Sequence, residues 1–138
     1  MGALVRVALV LAIPILWALG TSEAQEGLAK EDRQGPVSVS VTLTAAPAVG
    51  APLRAKVVLD THSVALDGIR FEEAVVLRTP EGTDIAPAAV EQATGSGHHR
   101  EAVLVFPPLA RPEEVRIVVK NVGGVAERSF AWELPAAR

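Results

Sequence analysis

Imidazole binds borderline metals and moves protons near neutral pH, and this chain keeps its three histidines in two short stretches. His62 lies in Asp60-Thr61-His62-Ser63. His98 and His99 lie side by side in Gly95-Ser96-Gly97-His98-His99-Arg100. Imidazoles around an open position make a usable site for Cu(II) or Zn(II). Asp60 offers a carboxylate, either as a further ligand or as the group that orients a ring nitrogen. Neighbours on a strand point to opposite faces, so joint ligation by His98 and His99 needs a bend, which Gly95 and Gly97 allow. The candidate metal residues are therefore His62, His98, His99 and Asp60. A plainer reading competes: the His98-His99 pair is a solvated turn, and His62 caps a strand end by bonding a carbonyl.

The residues that are missing narrow the chemistry. There is no cysteine, so disulfides, thiolate ligands, catalytic thiols and a blue-copper centre are excluded. The only methionine is Met1, which leaves no methionine-rich site for Cu(I). What remains is Cu(II) or Zn(II) held through imidazoles with a carboxylate. No residue stands out as a general base beside a metal-bound water. Ser63 and His62 are sequence neighbours that diverge in an extended chain, and Glu72 and Glu73 face opposite ways on a strand. The expectation is thus a protein that is not an enzyme. Arg100 reads as a surface ion pair with Glu101 or a nearby aspartate in preference to an anion contact. Phe130 and Trp132 read as core.

The chain has 138 residues and a formal net charge of −3, with no basic cluster, so nucleic acid is not an expected partner. Its N-terminus reads as an export signal: Arg6, an apolar run from Val7 to Gly20, then Ser22-Glu23-Ala24 with small residues at the cleavage positions. Cleavage after Ala24 would leave a periplasmic or secreted protein. The run is shorter than the roughly 20 apolar residues of a spanning helix, so membrane attachment is expected only if this segment stays uncleaved. Residues 25–35 carry Glu26, Lys30, Glu31, Asp32 and Arg33 around two apolar side chains and read as a flexible leader.

The elements that must position the histidines begin at Pro36. Val37, Val39, Val41 and Leu43 alternate with Ser38, Ser40, Thr42 and Thr44, the period of a strand with one buried face. Leu53, Ala55, Val57 and Leu59 repeat the pattern and put Arg54, Lys56, Asp60 and His62 on the outward side. Val64 to Gly68 reads as a tight connection, Glu73 to Thr79 as a strand, and Thr79-Pro80-Glu81-Gly82 as a turn. Asp84 to Gly97 reads as one short strand followed by a loop. Glu101 to Phe106 is a central strand, Pro107 to Pro112 a stiff crossover, and Val115 to Val119 another strand. Asn121-Val122-Gly123-Gly124 is a hairpin turn, and the last strand places Phe130, Trp132 and Leu134 on one face.

About six or seven strands with short connections predict an all-β fold, an antiparallel β-sandwich of immunoglobulin-like type. The expected organisation is a signal helix over 1–24, the leader over 25–35, the sandwich domain over 36–135 and a C-terminal tail over 136–138.

The Thr61-His62-Ser63 and Gly97-His98-His99-Arg100 stretches, with Val103-Leu104-Val105-Phe106-Pro107 after them, resemble small exported bacterial β-sandwich domains of unassigned function. The similarity spans roughly Val37 to Trp132. It implies that the histidines form one cluster and carries no activity with it. Two functions are expected on this basis. One is an exported, non-enzymatic module with a histidine-lined Cu(II) or Zn(II) site. The other is a metal-free interaction module that binds a protein of the cell envelope through a sheet edge or loop surface.

Overall fold

Val37, Val39, Val41 and Leu43 are all buried, and the intervening Ser38, Ser40 and Thr42 lie half-exposed on the other face. The second alternating segment does the same, with Leu53, Ala55, Val57 and Leu59 inside and Arg54, Lys56 and Asp60 outside. The computed structural model describes residue 2 and residues 28–134. The signal expected over 1–24 (Gly2 apart), its cleavage after Ala24, residues 25–27 of the leader and the tail over 136–138 lie outside the described residues.

The described chain is all-β, with two antiparallel sheets around one core. The strands are β1 (Ala29–Asp32), β2 (Val37–Leu43), β3 (Leu53–Thr61), β4 (Val75–Arg78), β5 (Asp84–Ile85), β6 (Ala89–Ser96), β7 (His99–Phe106), β8 (Glu114–Val122) and β9 (Val125–Glu133). One sheet has the order β1-β2-β3-β7-β6 and the other β5-β4-β8-β9. Leu104 and Phe106 of β7 meet Val115 and Ile117 of β8 and Phe130 and Trp132 of β9 in the same buried cluster.

Four expectations need correction. The leader is not wholly flexible, since β1 lies within it. Its residues need bury little apolar surface, because an edge strand is held by backbone pairing, here Lys30 to Val41 and Asp32 to Val39. Asp32 also accepts from Arg128 Nη1 at 2.9 Å, and Arg128 is itself buried among core side chains. Second, the region from Asp84 to Gly97 is mostly strand. β6 escapes a period-2 reading because its register shifts between Glu91 and Thr94, and Gln92 takes a φ of 50° there. A bulge of this kind inverts which residues face inward. Third, a short helical turn, α1 (Phe71–Ala74), precedes β4. It carries Glu72 and Glu73, and the strand expected from Glu73 begins only at Val75. With β1, β5 and β6 added, the described strands number nine. Fourth, β8 and β9 run further into their hairpin than expected. Val122 pairs Val125, and the loop is Gly123-Gly124, both with positive φ as a two-residue type I′ turn requires.

The two ends of the body differ. At one end lie the loop before Val37, the segment after Thr61, the β6–β7 turn and the β8–β9 hairpin. Leu28 and Leu134 lie together at the other. β1 runs beside β9, with Lys30 over the Trp132 ring at 5.8 Å and Asp32 on Arg128, so Leu28 sits near the far end of β9. We call the first end the rim.

Candidate functional site

Both histidine stretches lie at the rim because β3 and β7 are hydrogen-bonded neighbours, with Asp60 directly opposite His99. One residue beyond, the Thr61 amide donates to the His98 carbonyl at 3.0 Å. The Thr61 hydroxyl ends β3: it donates to the Pro36 carbonyl at 2.7 Å and accepts from the amides of Ser63 and Val64. His62 therefore leaves the strand on an exposed bend.

The expected bend at the glycines takes a specific form. Ser96 pairs His99, so Gly97 and His98 are the two loop residues of a hairpin. Gly97 has a φ of 65° and His98 does not share it, the pattern of a type II′ turn with glycine first. Gly95 is also required, since a Cβ there would lie 2.2 Å from the His99 carbonyl oxygen. His98 thus occupies the turn, and His99 is the first residue of β7. The loop after β3 wraps this turn: Leu66 N donates to Gly97 O at 2.8 Å, and Gly97 N donates to Asp67 Oδ1 at 3.0 Å. Arg100 donates to the carbonyls of Leu66 and Ile69 and lies over the Phe71 ring. It fastens the loop and does not make the expected ion pair with Glu101.

Asp60 and His99 share the outer face of the sheet, with His99 Nδ1 2.6 Å from Asp60 Oδ1. The other ring nitrogen, Nε2, lies 3.6 Å from Glu101 Oε2. Lys56 Nζ approaches the same Glu101 oxygen at 3.4 Å. The hydrogen bond to Asp60 is the main influence raising the His99 pKa above its ordinary 6.5. Desolvation works against it, and the charges of Asp60 and Glu101 add to the rise. Both ring nitrogens therefore face carboxylate oxygens.

Asp60 also faces a second environment. With Pro36, Ser38, Thr61 and His62 it lines a cleft of about 220 Å³. A larger depression of about 320 Å³ lies at the other end of the body, beside Arg78, Pro80, Arg116 and Glu133. It carries no histidine, and its Arg78 is already paired with Asp84 and Glu127, so the rim is the better candidate.

The structure thus joins Asp60 to His99 directly, places His62 with Asp60 on one cleft, and ties His98 to Thr61 through the backbone. Among the described residues, no three His, Asp or Glu side chains are arranged to hold one metal ion. The sequence reading missed Glu101 and Lys56. Glu101 had a signal, since it stands two residues after His99 and so on the same face of a strand. Lys56 had a weaker one in the outward parity it shares with Asp60. Compared with known proteins, the chain matches no family model, no curated protein and no solved structure.

Proposed function

We propose that this chain is an exported, non-enzymatic β-sandwich module of immunoglobulin-like architecture, acting in the periplasm or outside the cell. Its rim takes Cu(II) or Zn(II) through imidazole drawn from His62, His98 and His99, with the carboxylate of Asp60 as a ligand or as the group that orients a ring nitrogen. The observation that carries the reading is the 2.6 Å contact of Asp60 with His99 Nδ1 beside the cleft lined by His62. A carboxylate on one ring nitrogen fixes the tautomer and raises the basicity of the other, the support that ligating histidines commonly have. An exposed site with few fixed donors exchanges its ion readily, which suits delivery or sensing. Calorimetric titration of the purified chain with Zn(II) and Cu(II) tests this. Near-stoichiometric uptake is expected, lost when His62, His98 and His99 are all replaced by alanine. No heat at micromolar metal would remove the reading.

A second reading is favoured by one observation: both His99 nitrogens already face carboxylates, so the rim is satisfied without an ion. The rim would then be a polar contact surface for an envelope protein. Strand addition fits less well. β6 is bulged at Gln92, and β9 points the charged Arg128 inward and has β1 alongside, all features that discourage edge pairing. Co-purification of a partner that persists after the histidine replacements would favour this reading over the metal.

A further inference from the structure

Within the metal reading, on which this inference rests, we propose that the ion is held between His99 Nε2 and Glu101 Oε2. Asp60 acts as the group that orients the ring, and Lys56 is a resident cation the ion must displace. The argument starts from spacing. Metal–nitrogen and metal–oxygen bonds near 2.0–2.2 Å at a tetrahedral angle put neighbouring donors about 3.4 Å apart. His99 Nε2 and Glu101 Oε2 stand 3.6 Å apart with no ion between them. They are already at the bite of one divalent cation.

The support is rigid. His99 and Glu101 are alternate residues of β7, which is paired on one side by β3 and on the other by β6. Asp60 accepts from Nδ1, which leaves Nε2 as the nitrogen with the lone pair once the ring carries a single proton. This direction also decides what His62 does. Its cleft lies on the Asp60 side of the ring, whereas Nε2 points toward Glu101, away from that cleft. His62 is therefore not a donor to this ion, and Asp60 is not a ligand but a positioning residue. The remaining positions on the metal go to water.

Lys56 gives the arrangement its most distinctive consequence. Its ammonium shares the Glu101 oxygen at 3.4 Å, and both side chains are partly exposed. A divalent ion arriving at Glu101 meets this charge and must move it aside. Removing the lysine removes a competitor while leaving every donor in place.

The test is titration of the full chain with ZnCl2, run on wild type, Glu101→Gln, Lys56→Met, His62→Ala and His99→Ala, with circular dichroism as the check on folding. His99→Ala is expected to abolish uptake. Glu101→Gln removes a direct ligand and is expected to weaken it at least about tenfold, no less than the loss of a supporting carboxylate. Lys56→Met is expected to tighten it by up to about fivefold, the equivalent of one exposed ion pair. His62→Ala should leave it within a factor of about two. Electron paramagnetic resonance of the Cu(II)-loaded chain should report one coupled imidazole nitrogen. Uptake that ignores Glu101→Gln and Lys56→Met but falls with His62→Ala would overturn this donor set and leave the wider metal reading standing. Two or more coupled nitrogens would do the same. No uptake by wild type or by Lys56→Met would overturn both.

Discussion

Asp32 and Asp60 each hold a basic side chain at short range, 2.9 Å from Arg128 and 2.6 Å from His99. The contacts are alike and the surroundings are not. The Arg128 side chain has no exposed surface and that of Asp32 is 18% exposed, whereas His99 and Asp60 are 52% and 58% exposed. A guanidinium is a permanent cation in proteins, and this pair fastens β1 to the body. Imidazole can lose its proton, and water screens the rim pair. One contact is built to hold and the other can come apart.

Removing the buried partner should have the largest effect. Asp32→Ala leaves Arg128 charged and unpaired inside the protein, with a cost of about 3–5 kcal/mol expected in urea unfolding. Adding Arg128→Met should recover most of that loss, since the orphaned charge is then gone. A single-variant cost below about 1 kcal/mol would place the seam in the class of surface pairs and erase the contrast.

Gly123→Ala probes the backbone beside the same seam. Its φ is +61°, and the new Cβ would lie 2.8 Å from Val37 Cγ2. A loss of about 1–2 kcal/mol from the left-handed conformation alone is expected in the same assay. Equal stability would show that the hairpin and Val37 can shift apart.

A third cation sharpens the comparison because it is permanent and lies between the two in exposure, its side chain 23% accessible. Arg78 bonds Asp84 and Glu127, and Lys120 also bonds Asp84. Since β8 lies between β4 and β9, the Arg78 side chain must cross the outer face of β8. Hydrogen bonds from Arg78 and Lys120 hold the Asp84 carboxyl well below its usual range. Arg78→Ala should lower the melting temperature less than Asp32→Ala, by an amount that shrinks as sodium chloride rises. A deficit unchanged between low and high salt would mean the arginine acts by packing.

The smallest effect belongs to the rim, and it appears as a pH slope. The His99 pKa is raised in the folded chain, so the pair contributes fully below the ordinary 6.5 and loses its contribution as pH rises through the higher folded value. Asp32 fails in the opposite direction. Burial works to raise its pKa, but hydrogen bonds from Gln34 and the Arg128 charge bring it below the ordinary 3.8. Its contribution is present above 3.8 and is lost as pH falls through the lower folded value. Melting curves of wild type and His99→Gln should converge above neutrality and separate below it. Curves that stay parallel from pH 5 to about pH 9 would show that the rim pair does not titrate with folding.

What could be read in advance follows from how local each signal is. The alternation of Val37 to Leu43 and Leu53 to Leu59 is complete within its own segment, and it placed Asp60 outward. The turn at Thr79-Pro80-Glu81-Gly82 is likewise written in adjacent residues, and Gly82 N does donate to Thr79 O; the β8–β9 hairpin was legible from its glycines, but not that Asn121 and Val122 stay in β8. β1 was not legible because its cation stands 96 positions away, at Arg128. Arg128 itself shares the inward parity of Phe130 and Trp132, a signal that its charge obscured. β6 was hidden by its bulge. At the rim, the adjacency of Asp60 and His99 needed the register of β3 against β7, and no local pattern states a register.

Leu28 and Leu134 both lie at the end away from the histidines. A resin or a fused domain fixed at those two residues becomes the floor on which the molecule stands. The imidazoles are then held up like the lamp of a post, open to the surroundings from above and shielded from the support by the length of the sheets.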